Sequence, residues 1–215
     1  MVDVAVVERR GRVHFEQWAW PAADEARGLD PKALVRAFPM GPGDVVVVDG
    51  PQALAQSGAR VREAERLLRA PGRTPDVLPL PGAPFAGFVR GGVLLFAALH
   101  RRGGVQLLDL DEPGMKDARL FEAYPGATWR RLGVEKLGKK NTPEGRKARR
   151  ERLEAEGLRF SGSELPTHDE LDAALCAWLG WLTRTAPGRV QAVGAPLWKD
   201  AEGWLREGRI LDVSS

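Results

Sequence analysis

The stretch Asp44–Asp49, with the sequence DVVVVD, decides the fold. Its four consecutive valines lack the alternation of a half-exposed strand, which predicts a strand buried on both faces at the centre of a sheet. Around it, apolar runs typical of strands alternate with segments of helical spacing. The sequence therefore predicts an α/β protein with a mixed sheet flanked by helices.

A hairpin is predicted ahead of this strand. Val2–Glu8 is a short apolar strand, residues 9–11 form a turn, and Arg12–Trp18 alternates as a second strand should. Between the hairpin and the valine strand, a capping aspartate and a proline at the first helical position predict a short helix over Asp30–Phe38.

The rest of the chain is predicted to continue the alternation of helices and strands within a single domain of residues 1–215. The predicted elements are a helix near 60–70, an irregular Pro- and Gly-rich region over 71–92, a helix over 93–101, strands over 105–109 and 120–124, helices over about 143–157 and 167–185, and a C-terminal cap over 186–215.

The composition indicates a soluble globular protein. Of its 215 residues, 43% are hydrophobic and 28% are charged. No run approaches the ~20 apolar residues that span a bilayer, and the N-terminus lacks the basic region of a signal peptide. The lone Cys176 cannot form an internal disulfide. We therefore expect a cytoplasmic protein without a membrane partner.

Several common active-site motifs are absent from the sequence. It contains no P-loop, no dinucleotide-binding glycine motif after a strand, and no G-x-S-x-G nucleophile turn. Its three histidines show no zinc-ligand spacing. These absences argue against nucleotide-fold, serine-hydrolase and structural-zinc interpretations.

The segment Thr167–Trp178, with the sequence THDELDAALCAW, is predicted to begin a helix with acidic residues and continue it with apolar ones. Asp169 and Asp172 are three apart, so a helix places both carboxylates on one face, where a divalent cation would relieve their repulsion. Helix capping is the other interpretation, with Thr167 or Asp169 as the N-cap and acidic residues complementing the helix dipole. Both interpretations remain open from the sequence.

Further carboxylates occur in predicted strands. Asp49 ends the valine strand, at the end where α/β proteins place their chemistry, although an aspartate before glycine is also typical of a turn. Asp3 lies inside the first strand, a position that disfavours aspartate unless it is exposed or functional. Carboxylates that converge from separate elements can hold two magnesium ions and promote phosphodiester hydrolysis.

A basic segment precedes the acidic helix. Ten Lys and Arg residues lie between Arg130 and Arg152 against three glutamates, although the net charge of the whole chain is only +3. Such a local cluster suggests a polyanionic partner such as nucleic acid, and a solvated helix with scattered charges is the alternative.

Four short motifs, in their order and spacing, resemble a family of predicted nucleases with an RNase H-like fold, catalogued as a domain of unknown function. The motifs are Val46–Pro51, Arg62-x-x-Glu65-x-x-Leu68, Phe121–Gly126 and His168-Asp169-x-x-Asp172-Ala173, and together they span roughly residues 45 to 177. The last motif is also similar to the final helix of RuvC-type resolvases, in which paired aspartates bind metal.

The resemblance implies an RNase H-like fold with Asp49, Asp169 and Asp172 as metal ligands. The family usually opens with a Gly-Val-Asp-Gly strand, which this sequence lacks. Residues 2–13 fit the family's second strand slightly better, which would leave the first catalytic carboxylate absent, and otherwise Asp3 supplies it. Glu122 would be structural or would orient a metal ligand.

The sequence thus predicts a nuclease that depends on Mg²⁺ or Mn²⁺, with Asp49, Asp169 and Asp172 at the metal and Asp3 as a further catalytic candidate. Four basic side chains would contact the phosphate backbone: Lys139, Lys140, Arg146 and Arg150. The alternatives are a catalytically inactive protein of the same fold that binds nucleic acid or a protein partner, and a small-molecule phosphohydrolase.

Overall fold

The computed structural model confirms an α/β protein with sheets flanked by helices. It describes residues 2–18, 40–71, 73–102, 105–109, 118–133 and 138–214. The helix predicted over Asp30–Phe38 lies outside these residues.

The elements follow one another in a mixed order of strands and helices. The strands are β1 (Val2–Val7), β2 (Arg12–Trp18), β3 (Val45–Asp49), β4 (Val105–Leu107), β5 (Ala118–Ala123), β6 (Arg159–Phe160), β7 (Val190–Val193), β8 (Leu197–Lys199), β9 (Leu205–Glu207) and β10 (Ile210–Val213). The α-helices are α1 (Glu63–Leu67), α2 (Ala86–Arg102), α3 (Pro125–Arg131), α4 (Pro143–Ala155) and α5 (His168–Thr185).

The chain forms two compact units. Unit 1 consists of Met1–Ala19, Pro125–Gln191 and Asp212–Ser215, and unit 2 consists of Trp20–Tyr124 and Ala192–Leu211.

Unit 1 contains the sheet β1-β2-β6, in which β1 and β2 are antiparallel and β2 and β6 are parallel. The predicted hairpin is therefore confirmed. Gly11 closes its turn at φ +76°, and a Cβ there would lie 2.4 Å from the carbonyl oxygen of Gly157, so only glycine fits. Helix α5 packs on β1 through a buried apolar face that includes Leu171, Leu175 and Trp178.

The five-stranded sheet has the order β3-β5-β10-β7, and β4 also pairs with β5. Strands β3, β4 and β10 all run parallel to β5, which is therefore the central strand. Among the described strands, β3 pairs with β5 alone, and its valines are half-buried. The prediction that β3 is central and buried on both faces is wrong. Valine also suits a half-buried strand, and the neighbouring strands decide how deeply it lies.

The sequence prediction also placed the start of α2 too late. The helix begins at Ala86, inside the region predicted to be irregular. It tolerates Gly92 because that residue packs on Pro51, where an added Cβ would lie 2.7 Å from the Pro51 carbonyl oxygen. The Pro125-Gly126 pair does not only end β5: Pro125 is the first residue of α3, a position that suits proline.

The segment over 186–215, which was predicted as a C-terminal cap, contributes four strands. Strands β8 and β9 form an antiparallel hairpin, and Ile210 and Leu211 of β10 pair with Glu122 and Ala123 of β5. The end of the chain therefore supplies a strand beside the central strand of the sheet.

Candidate functional site

A buried ion pair between Arg62 and Glu122 lies in unit 2, close to the end of β3, where Glu122 is in register with Val48. The Arg62 guanidinium is fully buried and donates to both carboxylate oxygens of Glu122, with nitrogen–oxygen distances of 2.7 and 2.5 Å. Glu122 itself is 3% exposed. A bidentate arginine–carboxylate pair of this kind fixes both side chains in one geometry.

A second carboxylate extends this pair. Glu65, at the third position of α1, accepts from Arg62 Nη2 at 3.0 Å and from the Thr74 N–H at 2.9 Å. Thr74 also donates its hydroxyl to Glu65 at 2.5 Å. We call the buried set Gln52, Arg62, Glu65, Thr74 and Glu122 the Arg62 network.

Opposed effects set the charge states in this network. Burial alone would lower the pKa of Arg62, but the Glu122 and Glu65 carboxylates outweigh it and hold that pKa above its ordinary value. Burial raises the pKa of the Glu122 carboxyl, and the Arg62 charge opposes that rise. Because removing either partner would strand a buried charge, the pair is a structural element rather than a reactive one.

The Arg62 network fixes the loop that follows Asp49. The Gln52 backbone N–H donates to Glu122 at 3.0 Å, and the Gln52 side chain donates to the Arg209 carbonyl oxygen at 2.7 Å. Pro51 is held against Gly92 of α2. Asp49 pairs in register with Ala123 of β5, and its own side chain is exposed. Unit 2 therefore presents an exposed carboxylate at the carboxyl end of a parallel strand. The loop that follows this strand is fixed by the Gln52 hydrogen bonds and by the packing of Pro51 on Gly92.

In unit 1, the structure shows which residue caps the start of α5. Thr167 is the N-cap: its hydroxyl accepts from the Glu170 N–H at 3.1 Å, and the Glu170 carboxylate accepts from the Thr167 N–H at 2.7 Å. Asp169 lies outside this capping box, is exposed, and has His168 Nδ1 at 2.8 Å from its Oδ1. The cap therefore leaves both aspartates outside its hydrogen bonds.

Asp172 has nitrogen partners on both of its carboxylate oxygens. Trp129 Nε1 donates to Oδ1 at 2.6 Å, and Lys140 Nζ lies 3.1 Å from Oδ2. The Arg149 guanidinium stacks over the Trp129 ring at 5.7 Å. Burial lowers the pKa of Arg149, and the nearby Asp172 charge counteracts that effect. We call Trp129, Lys140, Arg149 and Asp172 the Asp172 cluster.

Asp3 lies in β1 and is half-buried. Its Oδ1 accepts a hydrogen bond from Gln17 Nε2 of β2 at 3.2 Å. The two residues are paired in register across the hairpin, so this contact is a cross-strand pair.

The basic residues predicted to contact phosphate differ in how they are engaged. Lys140 pairs with Asp172, and Arg146 donates to the Pro166 carbonyl oxygen at 3.2 Å. Arg150 pairs with Glu154 at 3.0 Å, donates to the carbonyl oxygens of residues 162 and 164, and stacks on the Phe160 ring. Lys139 is exposed. The two arginines thus tie α4 to the loop ahead of α5.

The predicted metal ligands are divided between the units, with Asp49 in unit 2 and Asp3, Asp169 and Asp172 in unit 1. Among the described residues, no group of three or more His, Cys, Asp or Glu side chains is placed to hold a metal ion. In chemical kind the donors suit a hard divalent cation, since all are carboxylates. A cation at Asp172 would have to displace Lys140. That Asp49, Asp169 and Asp172 bind a metal ion remains a prediction.

Sequence reasoning missed two buried carboxylates, Glu207 of β9 and Asp212 of β10. Asp212 of β10 is fully buried, accepts from the Thr128 hydroxyl at 2.7 Å, and has Arg131 Nε 2.5 Å from its second oxygen. Its partners are more than 80 positions away in the chain, so no local pattern indicates the contact. A charged residue within an otherwise apolar ILDV strand was the available signal.

The fold and these contacts define an α/β protein with one strand-end carboxylate and one helix-borne acidic pair. The chain belongs to the family described as "Protein of unknown function (DUF429)", whose sequence model matches residues 4–197. Neither the curated proteins nor the solved structures compared with it include a significant match. None of the helices within the described residues has the length and apolar character needed to cross a membrane.

Proposed function

We propose that this protein is a divalent-metal-dependent nuclease that hydrolyses phosphodiester bonds in nucleic acid. The observation that carries the proposal is the exposed carboxylate of Asp49 at the carboxyl end of β3. Ligands in α/β proteins bind at this end of the strands. The resemblance to predicted nucleases of RNase H-like fold supports the same assignment.

In this proposal the Asp49 carboxylate of unit 2 and the Asp169 and Asp172 carboxylates of unit 1 are ligands of Mg²⁺ or Mn²⁺. The bound metal would supply an activated water and would stabilise the leaving oxygen. The Arg62 network keeps the Asp49 loop in one position, which a metal ligand requires.

Lys140 has two roles in the proposed site. Before ligands bind, it neutralises Asp172 across 3.1 Å. Its side chain is about half exposed, and lysine is a flexible point charge, so it can leave Asp172 and approach a phosphate oxygen instead. The exposed Lys139 beside it adds a second phosphate contact. We place this activity in the cytoplasm, where the buried thiol of Cys176 stays reduced.

The direct test compares wild type with Asp49→Asn on single-stranded, branched and hybrid substrates, with Mg²⁺, with Mn²⁺ or with chelator. We expect Asp49→Asn to lower the cleavage rate on the order of 100-fold or more, because loss of even an outer partner of a metal ligand costs 10–100-fold.

Asp44→Asn is the matched control. It lies at the other end of the same valine run, where Asp44 accepts from the Gly41 N–H at 2.8 Å, and its rate should match wild type. Absence of metal-dependent cleavage by wild type on every substrate would reject the proposal.

A second candidate is a catalytically inactive member of the same fold that binds nucleic acid or a protein partner. The observation that favours it is the occupation of both Asp172 oxygens by Lys140 and Trp129. This candidate predicts salt-sensitive binding of nucleic acid in chelator, or capture of a protein partner, with no cleavage under any metal condition. The same assay therefore separates the two functions.

A further inference from the structure

An exposed apolar surface in unit 2 lies beside the loop that carries Asp49. Four side chains of one segment are strongly exposed: Val77 at 64%, Leu80 at 78%, Phe85 at 63% and Phe88 at 47%. We call these four residues the 77–88 surface. Several large apolar side chains exposed within one short segment are a candidate binding site.

The 77–88 surface is fixed to the core of unit 2 by other side chains of the same segment. Val89 is buried against Leu54 and Val93, and the partly buried Leu78 packs on the same cluster. The segment therefore has its own apolar anchors, and Phe85 and Phe88 remain outside them. Their exposure is a property of a fixed segment, and replacing them leaves the core intact.

The position of Phe88 links this surface to the candidate site. Its ring atom Cε2 lies 4.0 Å from the position that a Cβ would take on Gly50, the residue directly after Asp49. Phe85, which precedes α2, has φ +61°, a conformation that is unfavourable for a bulky side chain. Strained residues of this kind cluster where a side chain has a binding role.

Within the segment, no negatively charged side chain opposes an anionic ligand. From Val77 to Gly92 the chain has no carboxylate, and its one charged side chain is Arg90, which donates to the Pro79 carbonyl oxygen at 3.1 Å. Exposed aromatic rings are the platform on which unpaired nucleobases stack. Paired bases are already stacked within the duplex and cannot use such rings.

We infer that Phe85 and Phe88 stack unpaired bases of a nucleic acid strand and deliver that strand to Asp49, so that the substrate class is single-stranded or locally unpaired nucleic acid. The part of the inference that concerns cleavage of the bound strand rests on the proposed function. Its binding part is independent of cleavage, because stacking requires neither metal nor Asp49.

The test measures binding by fluorescence anisotropy in chelator, with a labelled oligothymidylate of about 12 nucleotides and a duplex of the same length. The variant is Phe85→Leu/Phe88→Leu, because leucine keeps the apolar surface and removes the aromatic ring. We expect the oligothymidylate to bind about 5- to 150-fold more weakly for each stacking ring lost, with duplex binding unchanged. Trp198→Leu removes a ring of similar exposure, 44%, outside this segment and should bind as wild type does.

Each other outcome has a definite meaning. Unchanged binding of the oligothymidylate by the double variant, or equal weakening for the duplex, overturns the inference. Loss of a dimer in light scattering, without loss of oligothymidylate binding, also overturns it and assigns the surface to a second copy of the chain. Ring-dependent binding without cleavage by wild type keeps the inference and rejects the nuclease, whereas cleavage that the double variant leaves unchanged keeps the nuclease and rejects the inference.

Discussion

Glu122 in unit 2 and Asp172 in unit 1 are both carboxylates with nitrogen partners, and they differ in how far their cationic partners are exposed to water. Glu122 is 3% exposed and is held by a fully buried arginine, whereas the partner of Asp172 is a lysine whose side chain is 52% exposed. A buried arginine pair cannot be exchanged without stranding a charge, but a solvated lysine can be replaced by another cation at small cost. The comparison separates a carboxylate that builds the site from one that is available to a ligand.

The same contrast applies to the arrangement around each carboxylate. The Arg62 network joins α1, β5 and the loop after β3, so its loss would disturb several elements of unit 2. The Asp172 cluster joins buried side chains of α3 and α4 to Asp172 of α5, and Lys140 is its one exposed member. Breaking the first should therefore reduce stability, and breaking the second should mainly change what the site binds.

The largest effect is expected from Glu122→Gln. The change leaves the Arg62 guanidinium buried with only Glu65 as a charged partner, so we expect the free energy of unfolding to fall by about 3–5 kcal/mol. Urea denaturation followed by circular dichroism measures it.

Glu63→Gln is the control for this substitution. Glu63 lies in the same helix and contacts Arg66 at 3.7 Å, but both side chains are exposed. Its removal should change stability by less than about 1 kcal/mol. Similar losses for the two variants would show that the buried pair has no special structural role.

The second-largest effect is expected at the contact between Gly92 of α2 and Pro51 in the loop after Asp49. In Gly92→Ala the new methyl group would lie 2.7 Å from the Pro51 carbonyl oxygen and 2.8 Å from its ring. Overpacking of this kind costs about 1–3 kcal/mol, and the loop that follows Asp49 must shift to relieve it. Thermal unfolding and the cleavage assay should both detect the change.

Gly87→Ala in the same helix separates overpacking from helix propensity. An added methyl group there meets no atom within 4 Å, so the variant should gain up to about 1 kcal/mol from the better helix former. If Gly92→Ala is as stable as Gly87→Ala, the close approach of α2 to Pro51 does not hold the loop.

Much of the fold could be predicted from the sequence, wherever the signal for an element is local. The β1–β2 hairpin, α4 with its Pro143 start, and α5, for which Thr167 was one of two cap candidates, follow from alternation, turn residues and capping patterns. Each of these signals lies within a few residues of the element that it defines.

The errors arise where tertiary contacts decide. Four valines predict a strand, but the order of the strands places β3 beside β5 instead of at the centre. The glycines of α2 predict an irregular region, yet Gly92 is used for packing on Pro51. Arg62 and Glu122 are 60 residues apart, so their motifs can be recognised separately while the pair cannot be deduced from either.

The smallest effect is expected at Lys140, and it tests the second side of the comparison. Lys140→Met removes an ion pair whose lysine is half exposed, so the free energy of unfolding should change by less than about 1 kcal/mol. Because the ammonium no longer competes for Asp172, calorimetric titration should show Mn²⁺ binding up to about 5-fold tighter than in wild type. Lys147→Met, which removes a similar pair with Glu151 on α4, should leave Mn²⁺ affinity unchanged.

The Lys140 variant also discriminates between the two proposed functions. If Asp172 is a metal ligand, Asp172→Asn should cancel the gain in Mn²⁺ affinity, because the released carboxylate is its only source. If neither wild type nor Lys140→Met binds Mn²⁺, the Lys140–Asp172 pair at 3.1 Å is a permanent structural contact. Asp172 would then resemble Glu122 in role although its lysine partner is exposed, and the catalytically inactive candidate would be favoured.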